Sequence, residues 1–338
     1  DSAGSVPGPA CYSNGGTLPT ITDADLVIGK INPENFAGGK IKLSKDLATN
    51  AITKNIGQKV NLDTDTAALA ISEIVDETMS NAARVHTVEQ GHETSNRTLI
   101  AFGGAAPLHV ARVAEKLKVS SIIIPTNASV GSAVGFLKAP VGYEVVKSLR
   151  MLLKGFQVKK VNNLLKTMRE EAEKIIENKS EKNNFIEERS AYMRYAGQGH
   201  EIKVPIENNS LSLIDIDSIK SSFEQKYEDL YARILPNADI EILTWSLSLS
   251  IQNENPNQYK ELNSYMNLKE NASVDFVDYH SEKKIKVPYF ERNDLKPGDL
   301  IKGQCIISEE QTTIIVSKNF DIKVLDNKFL KMEYIKDE

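Results

Sequence analysis

Two cysteines in 338 residues, Cys11 and Cys305, are too few and too far apart for a disulfide framework, and a reducing, cytoplasmic setting is expected. No apolar run approaches the ~20 residues that cross a bilayer. The opening residues, Asp1 to Pro9, lack the basic-then-apolar order of a signal peptide. Basic charge is not in excess either. The formal net charge is −5, which argues against a nucleic-acid partner and against a polybasic membrane surface. The five histidines and two cysteines show no zinc-ligand spacing with the acidic residues, so no protein-held metal site is expected. An initiator methionine is missing and the chain opens in loop-like sequence. A fragment or processed piece is expected.

What is present reads as globular. Hydrophobic residues at 41% and charged residues at 26% are ordinary usage, and the length suits two or three domains. Turn-formers such as Pro7-Gly8-Pro9, Asn14-Gly15-Gly16 and Gly38-Gly39 punctuate the first 60 residues. Thr22 to Gly29 reads as a short helix capped by Thr22 or Asp23 and ended at Gly29. Apolar residues from Ala67 to Ala83 recur with helical spacing over about 65–90. A strand at 98–102, a helix at 107–117 and a strand at 121–125 then make an α/β unit. The small residues Ser129 to Gly135 suit a helix held tightly against a sheet. Further on, helices are expected at 158–180 and 214–233, a strand pair at 187–206, and a long strand at 240–251. A polar linker at 253–272 and a β-rich tail from Lys284 to Tyr334 follow.

The most informative stretch is Phe102-Gly103-Gly104-Ala105-Ala106-Pro107-Leu108-His109, where an apolar strand breaks at paired glycines and enters a helix. Such a turn lets backbone approach a ligand with no Cβ in the way, and the helix start offers N–H groups to an anion. A tight strand-to-helix turn with no ligand fits these residues equally well.

Further blocks stand in order around it: Ser2-Ala3-Gly4, Pro7 to Tyr12, Thr22 to Gly29, Ser132 to Gly135, Arg194 to Gln198, Arg292 to Gly298, and Gly303 to Ile307 with Thr312-Thr313. Together these resemble the hydantoinase A / ATP-dependent 5-oxoprolinase family, which includes subunits of acetone-type carboxylases. The resemblance implies an α/β fold: part of an actin-like (ribonuclease-H-like) ATPase core, then a C-terminal α+β region with a β-rich tail. The corresponding boundaries are 1–150, 151–280 and 281–338. It implies ATP with Mg²⁺, a small cyclic amide or imide substrate, a hydantoinase B-type partner subunit and a hetero-oligomer. The activity implied is ATP-driven activation of a cyclic amide carbonyl, followed by ring opening. The alternatives are an acetone- or acetophenone-type carboxylase subunit and a non-catalytic scaffold.

The resemblance makes Gly103, Gly104 and Ala105 the adenosine-facing motif, and leaves the catalytic residues unassigned. His109 is either a first-turn histidine with an exposed edge or a polar contact to the ribose. Asn81 and Arg84 either face the base or belong to a solvated helix face. The sequence also departs from the family pattern. It holds no D-x-G-G-T phosphate loop, and Ala106 stands where the family has glycine. If that position required a positive φ, the alanine would cost about 1 kcal/mol. Cys11 and Cys305 read as buried small residues, and Arg194, Gln198 and Arg292 as structural ties.

Overall fold

The computed structural model describes residues 2–176, 185–251, 262–270 and 272–335. They form two compact units, Asp1–Leu137 with Gln258–Glu338, and Lys138–Asn257.

In the first unit, a turn-rich loop leads into α1 (Ile21–Ile28). Its N-cap is Thr20, not the expected Thr22 or Asp23. Thr20 Oγ1 accepts from the Asp23 N–H at 3.3 Å, and the Asp23 carboxylate accepts the Thr20 N–H at 2.8 Å, closing a capping box. Gly29 ends the helix at φ +95°, and a Cβ there would stand 2.4 Å from the Asp275 carbonyl oxygen. Next come α2 (Lys45–Ile52), a π-turn, α3 (Gln58–Val60) and the long α4 (Thr64–Glu89). The strand–helix–strand unit follows as β1 (Thr98–Ile100), α5 (Ala106–Leu117) and β2 (Ser121–Ile124), with the two strands parallel. One expectation fails at α6 (Gly131–Lys138), which buries none of its residues. Phe136 is 85% exposed, and the close approach of the small residues is made instead by the Phe102 ring, 2.4 Å from where a Gly131 Cβ would stand.

The second unit is an antiparallel sheet with helices. Its elements are β3 (Gly142–Leu152), α7 (Val158–Ile176), β4 (Phe185–Tyr195), β5 (Ile202–Ile206), α8 (Asp215–Tyr231) and β6 (Ile240–Ile251). The strand order is β3-β6-β4-β5. Val161, Leu165, Met168 and Ala172 of α7 and Ile219, Phe223 and Tyr227 of α8 join Trp245 in one core. Helical spacing thus buries one stripe of each helix while strand alternation buries one face of the sheet. Positions 177–180, within the expected helix, and 253–261 and 271, within the expected linker, lie outside the described residues.

The later strands return to the first unit: β7 (Met266–Asn267), β8 (Ala272–Val277), β9 (Lys284–Glu291), β10 (Asp299–Ile301), β11 (Cys305–Glu309), β12 (Thr312–Val316), β13 (Phe320–Val324) and β14 (Leu330–Tyr334). One sheet runs β1-β2-β14-β13-β10-β7 and the other β12-β11-β9-β8. The tail of the chain therefore shares a sheet with residues 98–124. The reason is the second edge of β2, which β14 covers by placing Met332 opposite Ile122. Cys305 and Ile307 face one core of this unit and Ile306 the other, so the first three residues of β11 are all apolar instead of alternating.

Candidate functional site

The β1 strand runs directly into the glycine turn. Gly103 sits at φ +109°, and its N–H donates to the Ala128 carbonyl at 2.8 Å, joining the carboxyl ends of β1 and β2. Among the described residues other than its two chain neighbours, none has an atom within 4 Å of the position a Gly103 Cβ would take. The Gly104 carbonyl accepts from Thr312 Oγ1 at 2.6 Å. Gly104 and Ala105 are exposed, and among the described residues no side chain caps the start of α5. Ala106 is the first helical residue, so the alanine that replaces glycine there needs no positive φ and carries no strain. On the inner side of Gly104 the cavity lined by Asn35, Phe36, Ser308 and Gln311 is only about 50 Å³. That is room for water, not for a nucleoside. A ligand of that size has access to the turn only on the open side.

One helical turn into α5, His109 is 4% exposed, not edge-on to solvent. It is packed into a buried charge network. Its Nδ1 lies 2.8 Å from Asp76 Oδ1 of α4, and its Nε2 3.2 Å from Asp25 Oδ2 of α1. Lys30, fully buried just beyond α1, places Nζ 2.8 Å from Asp25 Oδ1, 2.9 Å from Ser72 Oγ and 3.3 Å from His109 Nδ1. Ser72 Oγ is in turn 2.9 Å from the Tyr279 hydroxyl. Among the described residues Asp76 Oδ2 has no hydrogen-bond partner.

The electrostatics follow from this geometry. Burial alone would raise the Asp25 carboxyl, but the Lys30 ammonium and His109 outweigh it and hold it below the usual carboxylate range. Burial would lower Lys30, yet Asp25 foremost pushes it above the ordinary lysine value. For His109, burial again lowers, and hydrogen bonds to Asp25 and Asp76 reverse the sign, leaving it raised.

The same side of α5 continues outward as a basic stripe facing acids on α4. Arg112 Nη2 meets Glu73 at 3.0 Å, and Lys116 Nζ meets Glu73 at 2.5 Å and Glu77 at 2.9 Å. The Arg112 guanidinium also lies over the Tyr279 ring, 5.1 Å from its centroid. Arg84 donates to the Lys116 carbonyl at 3.2 Å and to Asn81 Oδ1. These two residues therefore sit at the C-terminal end of α5, about 15 Å along its axis from the glycine turn. The structure brings His109 under the turn and leaves Asn81 and Arg84 at the far end.

The remaining candidates fall into structural places. Asp23 gathers the N–H groups of Ala10, Cys11 and Thr20 at 3.2, 2.8 and 2.8 Å, stapling both ends of the opening loop to α1. Both thiols are buried, and burial first of all pushes each above its ordinary value. Arg292 ties the tail to β2, donating to the Ile124 and Lys328 carbonyls at 3.1 and 3.3 Å. Arg194 bonds Glu241 at 2.7 Å and Gln198 bonds the Tyr227 hydroxyl at 2.9 Å, both inside the second unit. His86 and His92 lie at and just past the end of α4, and His200 lies between β4 and β5, not in a strand. Lys30, Ser72, Asp76 and Tyr279 were not singled out from the sequence. One signal was there: Ser72, Asp76 and Ser80 continue at spacing four the buried line that starts at Ala68.

Among the described residues no three His, Cys, Asp or Glu side chains are grouped to hold a metal ion. No helix among them is long and apolar enough to cross a membrane. For a nucleotide, the glycine turn leaves exposed backbone open to contact. The sequence holds no D-x-G-G-T loop for the phosphates.

The first unit is a mixed α/β fold in which paired glycines join a strand to a helix at the carboxyl ends of two parallel strands. The chain belongs to the hydantoinase/oxoprolinase family: the family model covers residues 1–145, and the model of its C-terminal domain covers 154–335. It is 28% identical to the caprolactamase subunit alpha of Pseudomonas jessenii, over 96% of this chain and 47% of that one. It is 30% identical to the acetophenone carboxylase gamma subunit of Aromatoleum aromaticum, over 93% of this chain and 44% of that one. The crystal structure of the ATP-dependent caprolactamase from Pseudomonas jessenii superposes with a TM-score of 0.82 at 26% identity, covering 99% of this chain and 49% of that one. The chain thus spans about half the length of these relatives.

Proposed function

We propose that this chain is the C-terminal half of an ATP-dependent hydantoinase/5-oxoprolinase-type subunit that activates a cyclic amide or imide for ring opening. In this reading the first unit is part of an actin-like ATPase core, and a hydantoinase B-type subunit completes the reaction with Mg²⁺ present. The observation that carries it is the glycine turn: Gly103 at φ +109° with open space where a Cβ would stand, inside a chain of this family. The nucleotide-facing set is Gly103, Gly104 and Ala105. His109 belongs beneath the turn, and Asn81 and Arg84 belong to the α4–α5 seam.

ATP, when bound, supplies the phosphoryl group that turns an unreactive amide oxygen into a leaving group. The chain's own part is positioning. Gly103 and Gly104 admit the ligand to backbone contact, and the start of α5 turns its positive dipole end outward toward negative charge. The carboxylase relative supports a second reading, in which the activated carbonyl belongs to a ketone-plus-bicarbonate reaction.

The test is calorimetric titration of Mg·ATP into the chain, with Gly104→Asp as control. Micromolar binding abolished by the substitution supports the site. Absence of binding, both here and in a polypeptide extended to the relatives' length, overturns the ATPase reading in favour of a scaffold. ATP turnover stimulated by lactams, as against ketone plus bicarbonate, then separates the two enzyme readings.

A further inference from the structure

We propose that His109 is a positioning residue: held as an imidazolium between Asp25 and Asp76, it locks the start of α5, and with it the Gly103–Gly104 turn, to α1 and α4. This rests on the reading of that turn as the nucleotide-facing element. Two arguments carry it. The first is charge balance. With a neutral ring, the fully enclosed set would hold Lys30 against two carboxylates and keep one net negative charge; a cationic ring makes two against two. Burying uncompensated charge is costly, so the balanced state is favoured. The second is competition for one nitrogen. Asp76 Oδ1 is 2.8 Å from Nδ1 and Lys30 Nζ is 3.3 Å from it. A ring nitrogen bearing hydrogen donates to the carboxylate; one bearing a lone pair would accept from the ammonium and face the carboxylate's repulsion. The shorter contact selects the N–H.

The groups facing the ring are Asp25 and Lys30 from α1 and the turn after it, and Ser72 and Asp76 from α4. Tyr279 stands one hydroxyl further away, and Arg112 lies one turn along the same helix. Lys30 stays cationic and Asp25 anionic throughout the neutral range, so the ring is the member free to change charge there. His109 lies one turn from Ala105, so losing the bond to α4 loosens the helix end that carries the turn.

The experiment uses chain labelled with ¹⁵N at histidine and glycine, followed by NMR across pH, alongside Mg·ATP titrations at each pH. One ring is expected to keep both nitrogens protonated above the ordinary histidine range, and H109Q removes that signal. D76N moves its titration at least about one unit lower, since a charged partner is worth that much or more. The Gly103 and Gly104 amide resonances shift with the same midpoint. ATP affinity falls through it by at least about fivefold, the lower end of ordinary coupling between sites. In H109Q that pH dependence is flat. A neutral ring at pH 7, glycine amides that ignore the titration, or ATP affinity with the same pH profile in wild type and H109Q each overturns the proposal. Absence of ATP binding at every pH sinks the nucleotide reading alone, because the resonances still decide the clamp.

Discussion

Replacing Lys30 by methionine keeps most of the side-chain volume and removes only the charge. Lys30 is fully enclosed, and its Nζ is 2.8 Å from Asp25 Oδ1 and 2.9 Å from Ser72 Oγ. Losing one partner of a buried pair costs about 3–5 kcal/mol, and here it leaves His109 alone to face Asp25. For a unit of this size that lowers the melting temperature by about 6–20 °C. The pH signs are opposite for the two partners. Asp25 is depressed in the fold, so its contribution is present above its unfolded value of about 3.9 and is lost as pH falls through the folded one. Lys30 is raised, so its contribution is present below about 10.4 and is lost as pH rises through the folded value. The assay is thermal and urea unfolding of wild type, K30M, D25N and the double variant. The double variant is expected to be milder than the sum of the singles by about 2 kcal/mol, because it removes the stranded charge with its partner. A K30M loss under about 1 kcal/mol, or strict additivity in the cycle, refutes the description of the network as a tightly coupled unit.

Asp23→Ala removes the acceptor of three backbone N–H groups at a fully enclosed site and should cost about 3 kcal/mol, with faster amide exchange at Ala10, Cys11 and Thr20. Stability measured from pH 6 to 9 should decline as the raised His109 titrates, its contribution being complete below about 6.5, and H109Q should flatten that slope. Cys11 and Cys305 should resist a thiol reagent in the native chain and react fully in denaturant, since burial disfavours both thiolates. Gly103→Ala should cost about 1 kcal/mol of stability by placing a Cβ at positive φ without a clash, which a denaturant midpoint reads directly.

Much of the fold was legible in the residues because periodicity reports burial. The helix expected at 65–90 is α4, and the long strand at 240–251 is β6. What the pattern could not carry was partnership across distance. The pairing of β14 with β2 joins residues more than two hundred positions apart, and neither strand's alternation names the other. The failure at α6 has a different cause: small residues permit close packing but do not supply the apolar area that drives it. At the site, the glycine turn was visible because glycine pairs are rare local signals. Lys30 was not, because a lysine just past a helix end reads as solvated, and only the convergence of α1, α4 and α5 encloses it. His109 drew notice singly, and its contacts with Asp25 and Asp76 depend on that same convergence.

The pairing of β14 with β2 has a consequence for how such a chain comes off the ribosome. Residues 98–124 emerge first, and the strand that covers the open edge of β2 is made about two hundred residues later. At ordinary elongation rates that is a wait of about 10–40 seconds. Meanwhile all the strands and helices of the 138–257 unit emerge and can pack on one another. An apolar strand edge left waiting is a template for mispairing. A stall before β14 is translated should therefore yield a nascent chain that chaperones hold and proteases cut in its first unit, while its second resists them.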